Sequence, residues 1–190
     1  MEAFLVSTGV VALSEIGDKT QLLAMVLAAR FRQPVPIILG IRAATLANHA
    51  LAGLAGTWLA ANGGSWLRWI VAISFVAMAV WVLIPDKLDQ DLRLADRRRS
   101  AFLTTLVGFF LAEIGDKTQI ATVALAARFG TLLPVVAGTT LGMMIADVPA
   151  VLLGEAAIGR AAGKWVRYGA AAIFLLLGGL AASGIELGLF

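Results

Sequence analysis

A six-residue motif with two acidic side chains and one amine, Glu-Ile-Gly-Asp-Lys-Thr, occurs twice in the sequence, each time within a long apolar stretch. Its acidic residues are Glu15 and Asp18 in the first copy and Glu113 and Asp116 in the second. A charge at the centre of a membrane helix costs at least about 2.5–3.5 kcal/mol, so we expect these groups to share a polar cavity. Carboxylate oxygens suit Ca²⁺, Mn²⁺ or Mg²⁺ better than Zn²⁺ or Cu²⁺. The motif therefore predicts a divalent-cation site made by the four carboxylates.

Further polar groups are expected to line the same cavity. In a continuous helix Asp18 and Lys19 follow Glu15 at i+3 and i+4, so the three side chains share one face. The glycine between the two acids of each copy would let helices approach closely or bring a backbone oxygen near the ion. Asp147 is either a ligand or a support for the ligands, whereas His49 is more typical of a hydrogen-bonded lining residue. The predicted lining residues are Lys19, Lys117, Thr20, Thr118, Gln21, Gln119, Asn48, His49 and Asp147.

The composition indicates an integral membrane protein. Of the 190 residues, 60% are hydrophobic and only 14% are charged, against about 25% charged in an average soluble domain. Lipid must therefore be the solvent for much of the surface. The net charge of +3 comes from short loops between apolar runs, which favours a role in membrane topology over nucleic-acid binding. The absence of cysteine excludes disulfides and thiolate metal ligands.

The apolar pattern predicts an all-α protein with six transmembrane helices in two repeats. In the segments 15–31 and 113–129, 98 residues apart, 12 of 17 positions are identical. Because each repeat holds three spans, the second enters the membrane from the opposite side, as in many secondary transporters. The predicted spans are 3–29, 35–61, 66–84, 101–127, 132–153 and 166–185. The predicted units are a first repeat at 1–84, a charged linker at 85–100 and a second, inverted repeat at 101–190.

The distribution of positive charge predicts the orientation. The connections between spans 1 and 2, 3 and 4, and 5 and 6 carry Arg30, Arg32, Lys87, Arg93, Arg97, Arg98, Arg99, Arg160, Lys164 and Arg167. The opposite side carries only Arg68 and Arg128. Cytoplasmic loops are enriched in Lys and Arg, so the linker is predicted to be cytoplasmic and both termini extracytoplasmic.

The crowded carboxylates suggest a mechanism, proton-coupled antiport. Desolvated, closely spaced acids bind protons when no metal is present, so metal and protons would compete for one site. The lysines would neutralise the acids when no metal is bound and move away when metal enters. Three alternatives stay open: a structural ion pair between Glu15 and Lys19, a passive cation channel, and an intramembrane aspartyl protease using Asp18 and Asp116. The duplicated Glu and Lys argue against the protease, so no enzyme activity is predicted.

The two motif copies, together with Asn48-His49 after Thr45 and the six spans, resemble a small family of Ca²⁺/Mn²⁺–proton exchangers. That family includes Golgi cation antiporters of eukaryotes and manganese exporters of bacteria, and the resemblance covers essentially the whole chain. It implies export of Mn²⁺, Ca²⁺ or both from the cytoplasm, a bacterial inner-membrane location and no resident cofactor. Asp147 departs from the family's expected Asn, so ion preference and proton stoichiometry do not carry over. Whether the protein acts alone or as a homodimer is left open.

Overall fold

The computed structural model describes residues 1–84, 100–153 and 162–184, and within these ranges the regular secondary structure is entirely helical. A 3₁₀ turn at Gly64–Trp66 precedes the fourth of the eight α-helices in these ranges. The predicted linker 85–100, except Ser100, lies outside the described residues, as do all five of its positive charges. The helices are α1 (Glu2–Glu15), α2 (Lys19–Phe31), α3 (Pro34–Asn62), α4 (Leu67–Trp81), α5 (Ala101–Glu113), α6 (Lys117–Phe129), α7 (Leu133–Leu153) and α8 (Ala162–Ser183).

The predicted first and fourth spans are each divided into two shorter helices. In both copies the first helix ends at the glutamate of the motif and the second begins at its lysine. The prediction that Glu15, Asp18 and Lys19 share one helical face is therefore wrong, because the helix does not continue through them. The six predicted spans correspond to these two broken helices and to α3, α4, α7 and α8.

Glycine causes the break in both copies. Gly17 has φ +82° and Gly115 has φ +74°, a left-handed conformation that side chains with a Cβ rarely adopt. A Cβ added at either glycine would meet nothing within 4 Å. The expectation that these glycines allow close helix approach is therefore wrong. They are needed because the chain must turn between the two acids.

Close helix crossings recur in the two halves. A Cβ added at Gly40 of α3 would lie 2.8 Å from Thr105 Cβ of α5. A Cβ added at Gly138 of α7 would lie 3.0 Å from Ser7 Cβ of α1. Both glycines and both partners are separated by the 98-residue offset of the sequence repeat. Each crossing therefore joins one half of the chain to the other, and the two crossings use equivalent positions of the repeat.

These crossings define two opposite faces of the bundle. α3 and α5 run in the same direction and begin on one face. Gly40, near the start of α3, lies against Thr105, near the start of α5, and Asn48, later in α3, bonds Phe110, later in α5. α7 runs antiparallel to α3, since Gly53, late in α3, lies against Val136, early in α7. We call these the α3/α5 face and, on the opposite side, the α1/α7 face.

α4 and α8 form an outer pair whose packing on the rest of the bundle is unequal. Phe75 and Phe174 stack with ring centroids 6.2 Å apart, and Gly178 lies close to the backbone of α4. α4 also packs on α6, and α8 packs on α1. Among the described residues, the symmetry-related contacts of α4 with α5 and of α8 with α2 are sparse. The bundle is thus more closely packed toward the α1/α7 face, where α1 begins and α6 ends.

The surface is suited to a lipid environment. Three of the described helical segments are long and apolar enough to cross a membrane: Pro34–Asn62, Gly64–Trp81 and Leu133–Leu153. Large apolar side chains such as Ile73, Leu152 and Leu176 are more than half exposed. A water-soluble protein does not expose so many large apolar groups. The chain is therefore an integral membrane protein.

Candidate functional site at two helix breaks

Each helix break is closed by its own side chains. The Asp18 N–H donates to the Glu15 carbonyl at 3.0 Å, and the Gly17 N–H donates to Gln21 Oε1 at 2.8 Å. The second break has the same bonds, from Asp116 to the Glu113 carbonyl at 3.1 Å and from Gly115 to Gln119 at 2.8 Å. Helix ends carry backbone groups without intrahelical partners, and here the motif satisfies several of them. The glutamines, predicted as lining oxygens, thus hold the turns.

The threonines of the motif bind its glutamates. The Thr20 hydroxyl donates to Glu15 Oε1, and the Thr118 hydroxyl donates to Glu113 Oε2 at 2.7 Å. Both glutamates are completely buried at the ends of α1 and α5. Within the part of the chain that the structure describes, Glu15 Oε2 and Glu113 Oε1 have no hydrogen-bond partner. Each glutamate therefore has one oxygen fixed by the motif and one oxygen available to a ligand.

The lysines pair across the two halves and not within a helix. Lys19 Nζ lies 2.7 Å from Asp116 Oδ1, and Lys117 Nζ contacts Asp18 Oδ1. The alternative in which Glu15 and Lys19 form a local i,i+4 ion pair is therefore wrong. We call Lys19–Asp116 the accessible pair and Lys117–Asp18 the buried pair, because their lysine side chains are 29% and 4% exposed.

The two pairs bring all four motif acids into one central region. Glu15 and Glu113, from opposite halves, are within electrostatic range of each other, and so are Asp18 and Glu113. Two like-charged, buried carboxylates repel strongly in a medium of low dielectric constant. Such an arrangement needs cations or protons for compensation, and the two lysines offset only part of the negative charge.

Asp147 of α7 joins this group. It is completely buried and lies within electrostatic range of Asp18, Glu15 and Glu113. Neither of its carboxylate oxygens has a hydrogen-bond partner among the described residues. On the same helix, the Ala146 carbonyl accepts a bond of 2.9 Å from Gln21 Nε2, which ties α7 to the first helix break. Asp147 therefore adds a fifth carboxylate to the region.

Asn48 and His49 lie on α3, which packs against the second half. Asn48 Nδ2 donates to the Phe110 carbonyl at 3.0 Å, one turn before Glu113, while Asn48 Oδ1 has no partner. His49 is completely buried, and neither ring nitrogen has a hydrogen-bond partner. Asn48 is thus tied to the helix that ends at the second motif, whereas no described hydrogen bond or ion pair joins His49 to the motif acids.

The arrangement has the ligand types of a divalent-cation site but not its closed geometry. In residues 1–84, 100–153 and 162–184, no three His, Asp or Glu side chains are close enough together to hold a metal ion. The lysines occupy one oxygen of each aspartate. A cation could collect several carboxylates here only if lysines left and side chains closed around it.

Comparison with known proteins identifies the family. The family model described as "Divalent cation/proton antiporter GDT1" matches residues 3–90 and 101–185. A Vibrio cholerae protein named "Putative manganese exporter" is 47% identical over 179 residues, covering 93% of this chain and 88% of that protein.

Two more distant relatives extend across most of the chain. "GDT1-like protein sll0615" of Synechocystis is 29% identical over 186 residues, covering 87% of this chain and 89% of that protein. "GDT1-like protein 5" of Arabidopsis thaliana is 26% identical over 217 residues, covering 94% of both. No solved structure matches the chain. The match of the family model to both halves shows that this chain belongs to the GDT1 family of divalent cation/proton antiporters.

Proposed function

We propose that this protein exports Mn²⁺, Ca²⁺ or both from the cytoplasm of a bacterial cell in exchange for protons. The observation that carries the proposal is the pairing of each motif aspartate with the lysine of the other motif. A cation that binds both aspartates must displace both lysines, which couples binding to movement between the halves. The manganese named in the Vibrio cholerae relative supports Mn²⁺ as the first ion to test.

The proposed ligands are Glu15, Asp18, Glu113 and Asp116. Each glutamate has one buried oxygen without a partner, and each aspartate already binds an ammonium group that a cation can replace. Oxygen-rich, acidic sites suit Mn²⁺ and Ca²⁺. The same carboxylates accept protons when the metal leaves, because several uncompensated negative charges are costly in a buried region. Metal and protons then exchange at one place.

The proposed architecture is six transmembrane spans in two inverted repeats of three. It is supported by the paired crossings at Gly40 and Gly138 and by the opposite directions of α3 and α7. Discontinuous helices that meet at the repeat interface are typical of secondary transporters that work by alternating access. The positive charges of the short connections support extracytoplasmic termini. Within this proposal the protein needs lipid and its transported ions as partners, and neither nucleic acid nor a resident cofactor.

A protease is less well supported than an antiporter. An aspartyl protease needs two carboxylates that share a proton, but Asp18 and Asp116 are each bonded to a lysine. A passive channel would conduct only down a gradient and needs a continuous pore.

The deciding experiment uses purified protein in liposomes. Mn²⁺ or Ca²⁺ uptake and internal pH are followed together under an imposed pH gradient. We expect metal to accumulate against its own gradient while protons move in the opposite direction. Metal flux that stops at equilibrium and ignores the pH gradient would support a channel and contradict the proposal.

A further inference from the structure

The two Lys–Asp pairs are equivalent in sequence but not in exposure. In the buried pair the Lys117 and Asp18 side chains are 4% and 0% exposed. In the accessible pair the Lys19 and Asp116 side chains are 29% and 2% exposed. Because the motif copies have the same sequence, the difference must come from the helices packed around them.

The surrounding helices explain the difference. α8 packs on α1, the helix that ends at the first break, but the described part of α4 makes only sparse contact with α5, the helix that ends at the second break. Accordingly, Ile114 in the second break is 54% exposed, whereas its counterpart Ile16 is only partly exposed. The less covered helices, α2 and α5, are those that lie toward the α3/α5 face. The second break is therefore less covered on the side of α5, while α4 packed on α6 covers it toward the α1/α7 face.

We propose that Lys19 is the gate residue of the site and that Lys117 keeps the site closed. A divalent cation arriving from the α3/α5 face displaces Lys19 from Asp116 first, while Lys117 remains on Asp18. This inference rests on the proposed function and adds to it an order of events and a distinct role for each lysine. By the charge bias of the sequence, the α3/α5 face is the predicted cytoplasmic side.

The order follows from the cost of separating each ion pair. Water that reaches Lys19 can solvate its ammonium group as it leaves Asp116, so opening this pair costs little. Lys117 has almost no exposed surface, and moving it off Asp18 would separate two opposite charges that are both buried. The incoming cation must first supply positive charge beside Asp18 before Lys117 can leave. Release of the cation toward the α1/α7 face would then require that Lys117 also be displaced from Asp18.

Site-directed thiol labelling tests the inference directly, because the chain contains no cysteine of its own. Lys19→Cys and its repeat-related control Lys117→Cys are placed in sealed liposomes with a chelator. A membrane-impermeant, cationic thiol reagent is then added to one side at a time. We expect Lys19→Cys to react about tenfold faster than Lys117→Cys, from one side only, because labelling requires an accessible thiolate. Equal rates, or faster labelling of Lys117→Cys, would overturn the inference.

A second matched pair keeps both ion pairs intact. Ile114→Cys should be labelled faster than Ile16→Cys from the same side as Lys19→Cys, and Mn²⁺ alone should slow this labelling several-fold. Equal labelling of the two isoleucine variants would contradict the unequal access to the two breaks, even if the lysine variants fail to fold. Wild-type Mn²⁺/H⁺ exchange measured in parallel separates the two ideas. Exchange without labelling asymmetry would refute only this inference, whereas asymmetry without exchange would refute only the proposed function.

Discussion

The two motif copies have identical local structures in different surroundings. Both have a left-handed glycine, a glutamine on the glycine N–H and a threonine on the glutamate. The surroundings differ in two ways. The first copy packs against α7, which carries Asp147 where α3, packed against the second copy, carries His49, and the aspartate of the first copy is in the buried pair. The second has its aspartate in the accessible pair, beside a largely exposed isoleucine. The motif therefore encodes the helix break, and tertiary packing determines which break is more exposed.

The largest expected effect is on coupled exchange. Asp18→Asn and Asp116→Asn keep the size of the side chain but remove its charge and its proton-binding site. Both variants should lose proton-coupled Mn²⁺ transport, to the background of protein-free liposomes, at each of two external pH values. Insertion and monodispersity in detergent are the controls for folding. Coupled exchange like that of the wild type in both variants would show that the motif acids are structural.

The two lysines should differ in their effect on stability. Lys117→Met removes one partner of a buried ion pair with Asp18, a change that typically costs about 3–5 kcal/mol. Lys19→Met removes a partly exposed partner and should cost about 1 kcal/mol. Thermal unfolding in detergent without divalent ions measures the difference, and both variants should show an altered apparent affinity for Mn²⁺. Equal losses of stability would contradict the distinction between the buried and accessible pairs.

The glycines should behave alike, because the breaks are alike. Gly17→Ala and Gly115→Ala each force a side chain into the left-handed region, at about 1–2 kcal/mol. No steric clash adds to this cost, since nothing lies within 4 Å of the new Cβ. Gly64→Ala, with φ +51° outside the motifs and nothing within 4 Å, is the matched control. It should lose similar stability but retain exchange, whereas the motif variants should also lose Mn²⁺ flux. Retained Mn²⁺ flux in both motif variants would show that transport does not depend on the left-handed glycine turns.

Much of this site could be predicted from the sequence, and the errors have a physical origin. The repeat followed from the identity of the two motif segments, and the shared polar cavity was predicted from the high cost of charge in lipid. Asp147 was added because its spacing places it at the same depth. The structure buries all five carboxylates, whereas their role as ligands stays a prediction. The broken helices were missed because hydrophobic periodicity does not register a three-residue interruption. A local signal was nevertheless present: Asp18 followed by Gln21 resembles a helix N-cap motif, directly after a glycine.

The cross-pairing of the lysines could not be predicted in the same way. It depends on which helices meet at the centre of the bundle, and in a continuous helix the same sequence would place Lys19 beside Glu15 instead. The unequal exposure of the two pairs depends on α4 and α8, which lie far from the motifs in the sequence. Local sequence therefore predicts the components of the site but not their partners.

The smallest expected effect comes from Asp147→Asn, which tests how far the two surroundings differ. Both Asp147 oxygens are buried without a partner near Asp18 and Glu15, so the charge adds attraction for a cation and repulsion when none is bound. Asparagine keeps an oxygen ligand and removes the repulsion. We therefore expect the variant to retain coupled exchange and to have unchanged or higher thermal stability. Its Mn²⁺ affinity should weaken by less than about tenfold, which corresponds to about 1.4 kcal/mol. Flux titrations and thermal unfolding measure both. Complete loss of exchange would instead place Asp147 among the essential ligands and make the first motif the stronger half of the site.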